Sequence, residues 1–382
     1  VRKIKDRRFT DGNVVYWMSR EQRVYDNWSL IYAAESARSY KVPLCVIYCL
    51  PPEYLDSTIR QYSFKIEGLK QVQAKLHGLG IGFYLLEGYP EIEFPSFLHE
   101  VDAGLLVTDF DPIEINRRWT RRVGAEIDIA MHQVDSHNIV PCWKVAKRRI
   151  STYGTFRLRI APWLSRFLTD LPPMNKMEIA WSIKEKETDW ESALGRCRVD
   201  KTVPIVKWIG SGEDMAKKNL SNFCEKRLFS YKARSMDPLV SGQSDLSPFL
   251  HFGQLSSQRV AFEVQRTNAP TEDKAMYLDQ LIVKKELADN FCRHTPDDDT
   301  TGAYPIWARR SLDEHRSDPR DHIYSLEELE NAKTHDPLWN AAQTELLKTG
   351  KIHGSLRAYW AEKILEWSAR PEDALSTALF MN

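Results

Sequence analysis

Residues 357–367, RAYWAEKILEW, set two tryptophans seven positions apart. On a helix seven residues make about two turns, so Trp360 and Trp367 share a face with backbones about 10.5 Å apart. A third indole, Trp339, stands in THDPLWNAAQTELLKTGKIHGSLRAYWAEKILEW, where the glycine-containing TGKIHGS lets the second helix fold back on the first. Indoles so placed either pack as core or pass electrons, and spacing alone leaves both open. A second segment, SDLSPFLHFG (244–253), offers hydroxyls at Ser244 and Ser247, the amides between them, and a proline able to open a helix. Orphan amides at a helix start attract anions, so a phosphate suits this loop; an ordinary N-cap uses the same residue types.

Other chemistry is excluded or left open. The six cysteines include no CxxC pair, the ten histidines complete no Cys/His ligand set, and HTPDDDTTG departs from a calcium loop in spacing and in its missing glutamate, so no metal site is expected. Walker A, GxSxG and HExxH are absent. Formal net charge is zero, yet Asn116 to Arg166 holds eleven Lys or Arg against Glu126, Asp128 and Asp135, a local net of +8. Such a patch steers a polyanion, or is simply a solvated helix face. Hydrophobic content of 42% with 28% charge, no apolar run long enough to span a bilayer and no apolar leader in VRKIKDRRFTDG imply a soluble intracellular protein, cytoplasmic or nuclear, without membrane contact.

The elements that must position these residues change character along the chain. VVYWM (14–18), PLCVIYCL (43–50), GFYLLEG (82–88), AGLLVTDF (103–110) and IDIAMHQVD (127–135) read as strands, with helical patterns such as IRQYSFKIEGLKQVQAKLHGLG between them. Strand and helix in alternation predict an α/β, Rossmann-like parallel sheet with a crevice at the strands' carboxyl ends. No GxGxxG follows the first strand; SREQRVYDNW, polar and charged, stands where a crevice would begin. The pattern gives an α/β domain over 1–145, an interdomain linker over 146–215 and an all-helical domain over 216–382.

The strings VVYWMSREQRVYDNW, VDSHNIVPCW, LSPFLHFGQLSSQRV, LIVKKELADNFC, LDEHRSDPRDHIYSLEELE and THDPLWNAAQTELLKTGKIHG resemble signature segments of the class II cyclobutane pyrimidine dimer photolyases, in the photolyase and cryptochrome superfamily. The resemblance runs over nearly the whole chain. It implies an antenna-type α/β domain, a helical domain holding a U-shaped FAD, and light-driven electron transfer from reduced flavin to a dimer flipped out of DNA. By the same resemblance Tyr231, Ser244, Leu246, Ser247 and His251 wrap the flavin's phosphates and ribityl chain, Arg357 lies beside its ring system and Asn382 near its N5. Trp360, Trp339 and Trp367 match the tryptophans that re-reduce an oxidised flavin. CWKVAKRR touches DNA or an antenna chromophore of deazaflavin or folate type; the partner is dimer-containing DNA, and the protein a monomer.

Departures from the family gather on the lesion side. Gln280 stands where class II members carry a glutamate, a few residues before Lys284, and keeps an acceptor but no negative charge. Ser235 replaces an arginine, and Ala358 a methionine. These changes suggest a site relaxed for repair; the alternatives are a cryptochrome-like light sensor and an inactive fragment. The family also continues past LFMN with a segment that pairs with Arg357, so Val1 and Asn382 are expected to be cuts in a longer product, with weakened flavin affinity.

Overall fold

A computed structural model describes residues 1–9 and 11–382. Its sheet has six strands, β1 (Arg2–Lys5), β2 (Asn13–Trp17), β3 (Leu44–Leu50), β4 (Gly82–Glu87), β5 (Ala103–Asp109) and β6 (Ala130–Val134), in the order β1-β6-β5-β2-β3-β4. The five strands expected from sequence run parallel. The sixth, RKIK, pairs antiparallel to β6 with Arg2 opposite Gln133, so the sheet is mixed and not purely parallel. It escapes sequence reading because a charged edge strand has no apolar run.

Side-chain alternation then decides the layers. Val14, Tyr16, Val46 and Tyr48 point to the face covered by α1 (Trp28–Tyr40) and α2 (Ile59–Gly78). Val15, Trp17 and Ile47 point to the other, under α3 (Pro90–Glu100) and α4 (Glu114–Glu126). Every residue of β3 is buried, as expected of a central strand covered on both faces. Asn27 caps α1 by accepting from the Ser29 and Leu30 amides, and Thr58 with Gln61 forms a capping box on α2.

The helical half has two cores. The first joins Phe156 and Ile160 of α5 (Tyr153–Phe167) to Phe223, Leu246, Phe249, Tyr277 and Leu281. It includes α6 (Ser257–Arg266), α7 (Thr271–Leu278) and α8 (Lys285–His294), with a π-helical stretch, Asp279–Lys284, between the last two. The stretch expected as connection thus carries α5 and the short helix Trp190–Arg196. The second core packs Trp339, Trp360, Ile364 and Trp367 between α9 (Pro337–Thr349), α10 (Gly354–Glu366) and α11 (Pro371–Met381). Side chains fasten this core to the remainder at the α9–α10 turn. Arg60 donates to the carbonyls of Leu346 (3.2 Å) and Leu347 (2.8 Å), Trp208 Nε1 to that of Thr349 (2.8 Å), and Lys351 pairs with Asp245.

A buried polar seam locks the sheet's carboxyl edge to α8. Arg20 grips Asp289 through two hydrogen bonds (2.8 and 2.9 Å), and Asn138 donates to the same carboxylate at 2.8 Å. Lys285 donates to the His137 carbonyl (2.9 Å), and Glu286 accepts from the Ile139 amide (2.7 Å). Arg23, paired with Glu21, donates to the Gly253 carbonyl at 2.9 Å. Gly253 has φ +64°, and a Cβ there would collide with the Arg20 carbonyl and sit 2.6 Å from Glu21 Cα, so the approach of the halves requires glycine. SREQR, polar at the mouth of the crevice, is therefore part of the joint.

The seam predicts a pH profile. Burial would raise the Asp289 pKa, but the Arg20 guanidinium outweighs it and holds the carboxyl well below the aspartate range. Its contribution is present above the unfolded value of about 4 and is lost as pH falls below it. Asp135 and Glu286 run the other way: burial lifts Asp135 to about 6 and raises Glu286 as well, so ionising them costs stability as pH rises above their unfolded values of about 4. The melting temperature is expected to peak near about pH 4, to drop as pH falls further and to decline as pH rises from about 4 through about 6. A thermal-melt series across pH checks this; a flat profile between the peak and pH 8 contradicts it.

Candidate functional site

The indole cluster is built by helix caps. Asp336 accepts from the Leu338 (2.9 Å) and Trp339 (3.0 Å) amides, Pro337 opens α9, Gly350 closes it with φ +72°, and His353 caps α10. The hairpin so formed stacks Trp339 on Trp360, centroids 6.3 Å apart and planes at 1°, and sets Trp367 edge-on to Trp339 at 5.6 Å. All three are buried. Trp339 Nε1 donates to the Trp360 carbonyl (3.1 Å), and Trp360 Nε1 to Gln343 (2.9 Å). Trp367 Nε1 is buried with no partner among the described residues. Arg357 and Ala358 are exposed on α10, and Arg357 donates to the Asn382 side chain at 3.1 Å.

The Ser244–Ser247 loop lies at the border of the two helical cores. Asp245 takes φ +57° and is held between Arg227 and Lys351, while Arg227 also donates to the Ser244 carbonyl at 3.1 Å. One carboxylate against two cations leaves the loop positive, which suits an anion. Leu246 is buried, and Ser247 is exposed at the start of a five-residue helix. His251 is not brought to this group: its ring lies 4.8 Å from Phe252, which contacts Phe64 of α2, so it sits toward the α/β half. Sequence reading missed Arg227 and Lys351. The lysine inside TGKIHG, at the turn between the tryptophan helices, was the available signal.

Tyr231 packs edge-on against Phe223 and Tyr277 at 5.7 and 5.2 Å. One turn later Ser235 is buried, its amide bonded to the Tyr231 carbonyl and its Oγ without a partner among the described residues. Gln280, half-buried, and Lys284, exposed, both fall in the π-helical stretch. Wide turns of this kind recur at functional sites because the inserted residue re-aims side chains. Asp279 beside them is engaged by the Tyr153 hydroxyl and lies 3.8 Å from Arg157. Tyr231 and Ser235 thus form one group with Tyr277, whereas Ala358, Arg357 and Asn382 are exposed on the helices that enclose the indole core.

Whether a flavin dinucleotide suits these residues is tested by their unsatisfied atoms. Arg227 Nε, Ser235 Oγ and His353 Nε2 are buried without hydrogen-bond partners among the described residues, and all three belong to the segments at the junction of the helical cores. Donors around a positive loop fit phosphate and hydroxyl groups, so the residues present fit the cofactor. Among the described residues no cluster of His, Cys, Asp and Glu is arranged to hold a metal, and no helix is long and apolar enough to cross a membrane.

The basic run acquires two distant members. The Arg2 and Arg293 guanidinia each lie over both Phe110 (5.9 and 5.5 Å) and Trp143 (5.4 and 6.0 Å). Arg117 donates to the Arg293 carbonyl at 2.7 Å, and Lys144, Lys147 and Arg148 are exposed alongside. Burial first, and the neighbouring Arg293 second, bring the Arg2 pKa down to about 10.

Residues 14–176 match the family model described as DNA photolyase. Over 372 residues the chain is 41% identical to the deoxyribodipyrimidine photo-lyase of Potorous tridactylus, covering 96% of this chain and 70% of that protein. The enzyme of the same name from Arabidopsis thaliana is 40% identical over 98% of this chain and 77% of its own length. That from Methanothermobacter thermautotrophicus is 35% identical over 97% and 81%. In fold the chain is similar to a class III photolyase from Agrobacterium tumefaciens, with TM-score 0.73 and 16% identity over 98% of this chain and 80% of that one. It is also similar to a cryptochrome from Synechocystis, with TM-score 0.74 and 15% identity over 98% and 84%. Identity of this extent over nearly the full chain, on an α/β sheet joined to a helical half, places the chain in the DNA photolyase family.

Proposed function

We propose that the chain splits cyclobutane pyrimidine dimers in DNA under light, with FAD held at the junction of the two helical cores. The observation that carries this reading is the pairing of a buried indole stack with a cation-flanked Ser244–Ser247 loop at that junction. Bound and fully reduced, an excited flavin supplies one electron to the cyclobutane and recovers it once the ring opens. Arg227, Lys351 and the amides of the Ser244–Ser247 loop hold the diphosphate, with Tyr231 closing the pocket wall. Arg357 and Asn382 hydrogen-bond the ring system's polar edge. Ser235, Gln280, Lys284 and Ala358 border the damaged base. The face of Arg2, Arg293, Lys144, Lys147 and Arg148 binds the DNA backbone, and the sheet's carboxyl edge is the place for a deazaflavin- or folate-type antenna. The protein acts as a monomer, with residues 1–145, 146–215 and 216–382 as antenna domain, connection and flavin domain.

The test is light against dark. Flavin-loaded protein is mixed with duplex DNA carrying a single thymine dimer, and dimer loss is followed under blue light. Splitting in light alone supports the proposal. Flavin uptake without splitting instead supports the light-sensor reading that Gln280, Ser235 and Ala358 favour, and failure to take up flavin overturns both. Within the repair reading, Gln280→Glu is expected to raise repair about fivefold, because a carboxylate accepts a base N–H more strongly than an amide by about 1 kcal/mol. Repair rate under single-turnover light checks it; no change or a fall means that Gln280 does not meet the base.

A further inference from the structure

The π-helical stretch Asp279–Lys284 is gripped from outside at both ends. Its backbone is a wide turn, in which the Lys285 amide reaches back five residues to the Gln280 carbonyl. Leu281, Ile282 and Val283 are buried in succession, while Gln280 is half-buried and Lys284 exposed. At the far end Lys285 Nζ donates to the His137 carbonyl (2.9 Å) and to Asn138 Oδ1 (3.3 Å) in the seam. At the near end the Tyr153 hydroxyl donates to Asp279 Oδ2, and Arg157 Nε stands 3.8 Å from Asp279 Oδ1. Tyr153 and Arg157 are four residues apart on α5 and so share a face. The segment leading into α5 is tied to α8 as well: the Ile150 amide donates to Asn290 Oδ1 (2.8 Å), and the Arg149 guanidinium lies 4.7 Å over Phe291.

A wide turn is movable. Exchanging a five-residue bond for a four-residue one shifts it a position along the helix and swings the side chains it passes. Gln280 lies inside the turn, so its direction depends on where the turn begins. Asp279 is the first residue of the stretch, and its carboxylate cannot follow such a shift without giving up the phenol and the guanidinium together. Of the two ties the phenol is the stronger. Arg157 is mostly exposed and its contact is long, so that ion pair contributes little, whereas a hydroxyl donating to a charged acceptor is directional and strong.

Resting on the repair reading above, in which Gln280 borders the damaged base, we propose that Tyr153 is a positioning residue for lesion recognition: by holding Asp279 it fixes the wide turn and aims Gln280 at the base. The same segment of chain leaves the basic run CWKVAKRR at Arg149 and reaches Asp279 through Tyr153. Contact with the DNA backbone and contact with the base are therefore joined through one short piece of the molecule, and a bound backbone steadies the residue that reads the lesion.

The experiment measures binding in the dark of the flavin-loaded full chain to two duplexes, one carrying a single thymine dimer and one undamaged, and reads the ratio of the dissociation constants. Tyr153→Phe keeps the ring and is expected to lower the preference for dimer DNA about fivefold, on the scale of coupling between contacting residues, with affinity for undamaged DNA unchanged. Asp279→Asn keeps an acceptor for the phenol and is expected to retain most of the preference; Asp279→Ala is expected to lose as much as Tyr153→Phe. Gln280→Ala also lowers the ratio, and in that background Tyr153→Phe is expected to add nothing, because no side chain is left to aim. Flavin content and melting temperature of each variant separate these effects from misfolding. No loss in Tyr153→Phe, the same loss with and without Gln280, or equal weakening on both duplexes overturns the inference and leaves the proposed function standing. Full preference in Gln280→Ala overturns it together with the role given to Gln280, and a wild type that binds both duplexes equally overturns it together with the repair reading.

Discussion

Trp360→Phe is expected to slow thiol-dependent photoreduction of bound flavin by about a hundredfold or more, a barrier increase of roughly 3 kcal/mol. Phenylalanine fills most of the space but gives up an electron far less readily than indole, so the path to Trp339, stacked at 6.3 Å, loses its first station. The structural cost is smaller. Gln343 loses the donor that reaches its Oε1 at 2.9 Å, which leaves a buried acceptor unpaired at about 1–2 kcal/mol. Following flavin bleaching under blue light, with melting temperature in parallel, separates the two roles. A variant that melts earlier yet photoreduces at the wild-type rate would make the stack plain core.

The second large effect is on stability. Asp289→Ala is expected to cost about 3–5 kcal/mol, because it strands the Arg20 guanidinium inside the seam and removes an acceptor from Asn138 as well. Replacing both charges, with Arg20→Leu and Asp289→Leu together, is expected to recover most of that loss, since a buried pair contributes less than its removal by halves suggests. Urea midpoints of the single and double variants decide the matter. If both are equally unstable, the pair's hydrogen bonds and not its charge hold the halves together.

The sheet was legible because period and burial agree there: PLCVIYCL is apolar throughout and β3 is buried throughout. β1 was not, since RKIK becomes a strand only by pairing with β6, more than a hundred residues away. The seam was unreadable for the same reason. SREQR stood out as too polar for a crevice, but nothing local ties Arg20 to Asp289, 269 positions later. In the site, helical spacing foretold that Trp360 and Trp367 share a face, whereas Gln343, which accepts from Trp360, and Tyr324, which packs on Trp367, come from a neighbouring helix and a distant turn. Arg227 and Lys351 are two among 53 basic residues, and only the fold shows that they clasp one carboxylate. The roles of Arg357 and Asn382 were suggested by family resemblance alone.

The fastening of the indole core at the α9–α10 corner has a consequence for durability. Arg60, Trp208 and Lys351 all grip the stretch from Leu346 to Lys351, so loosening that corner frees a small aromatic module while the sheet and the first helical core stay intact. The corner is thus expected to act as a fuse, parting on warming before the sheet does.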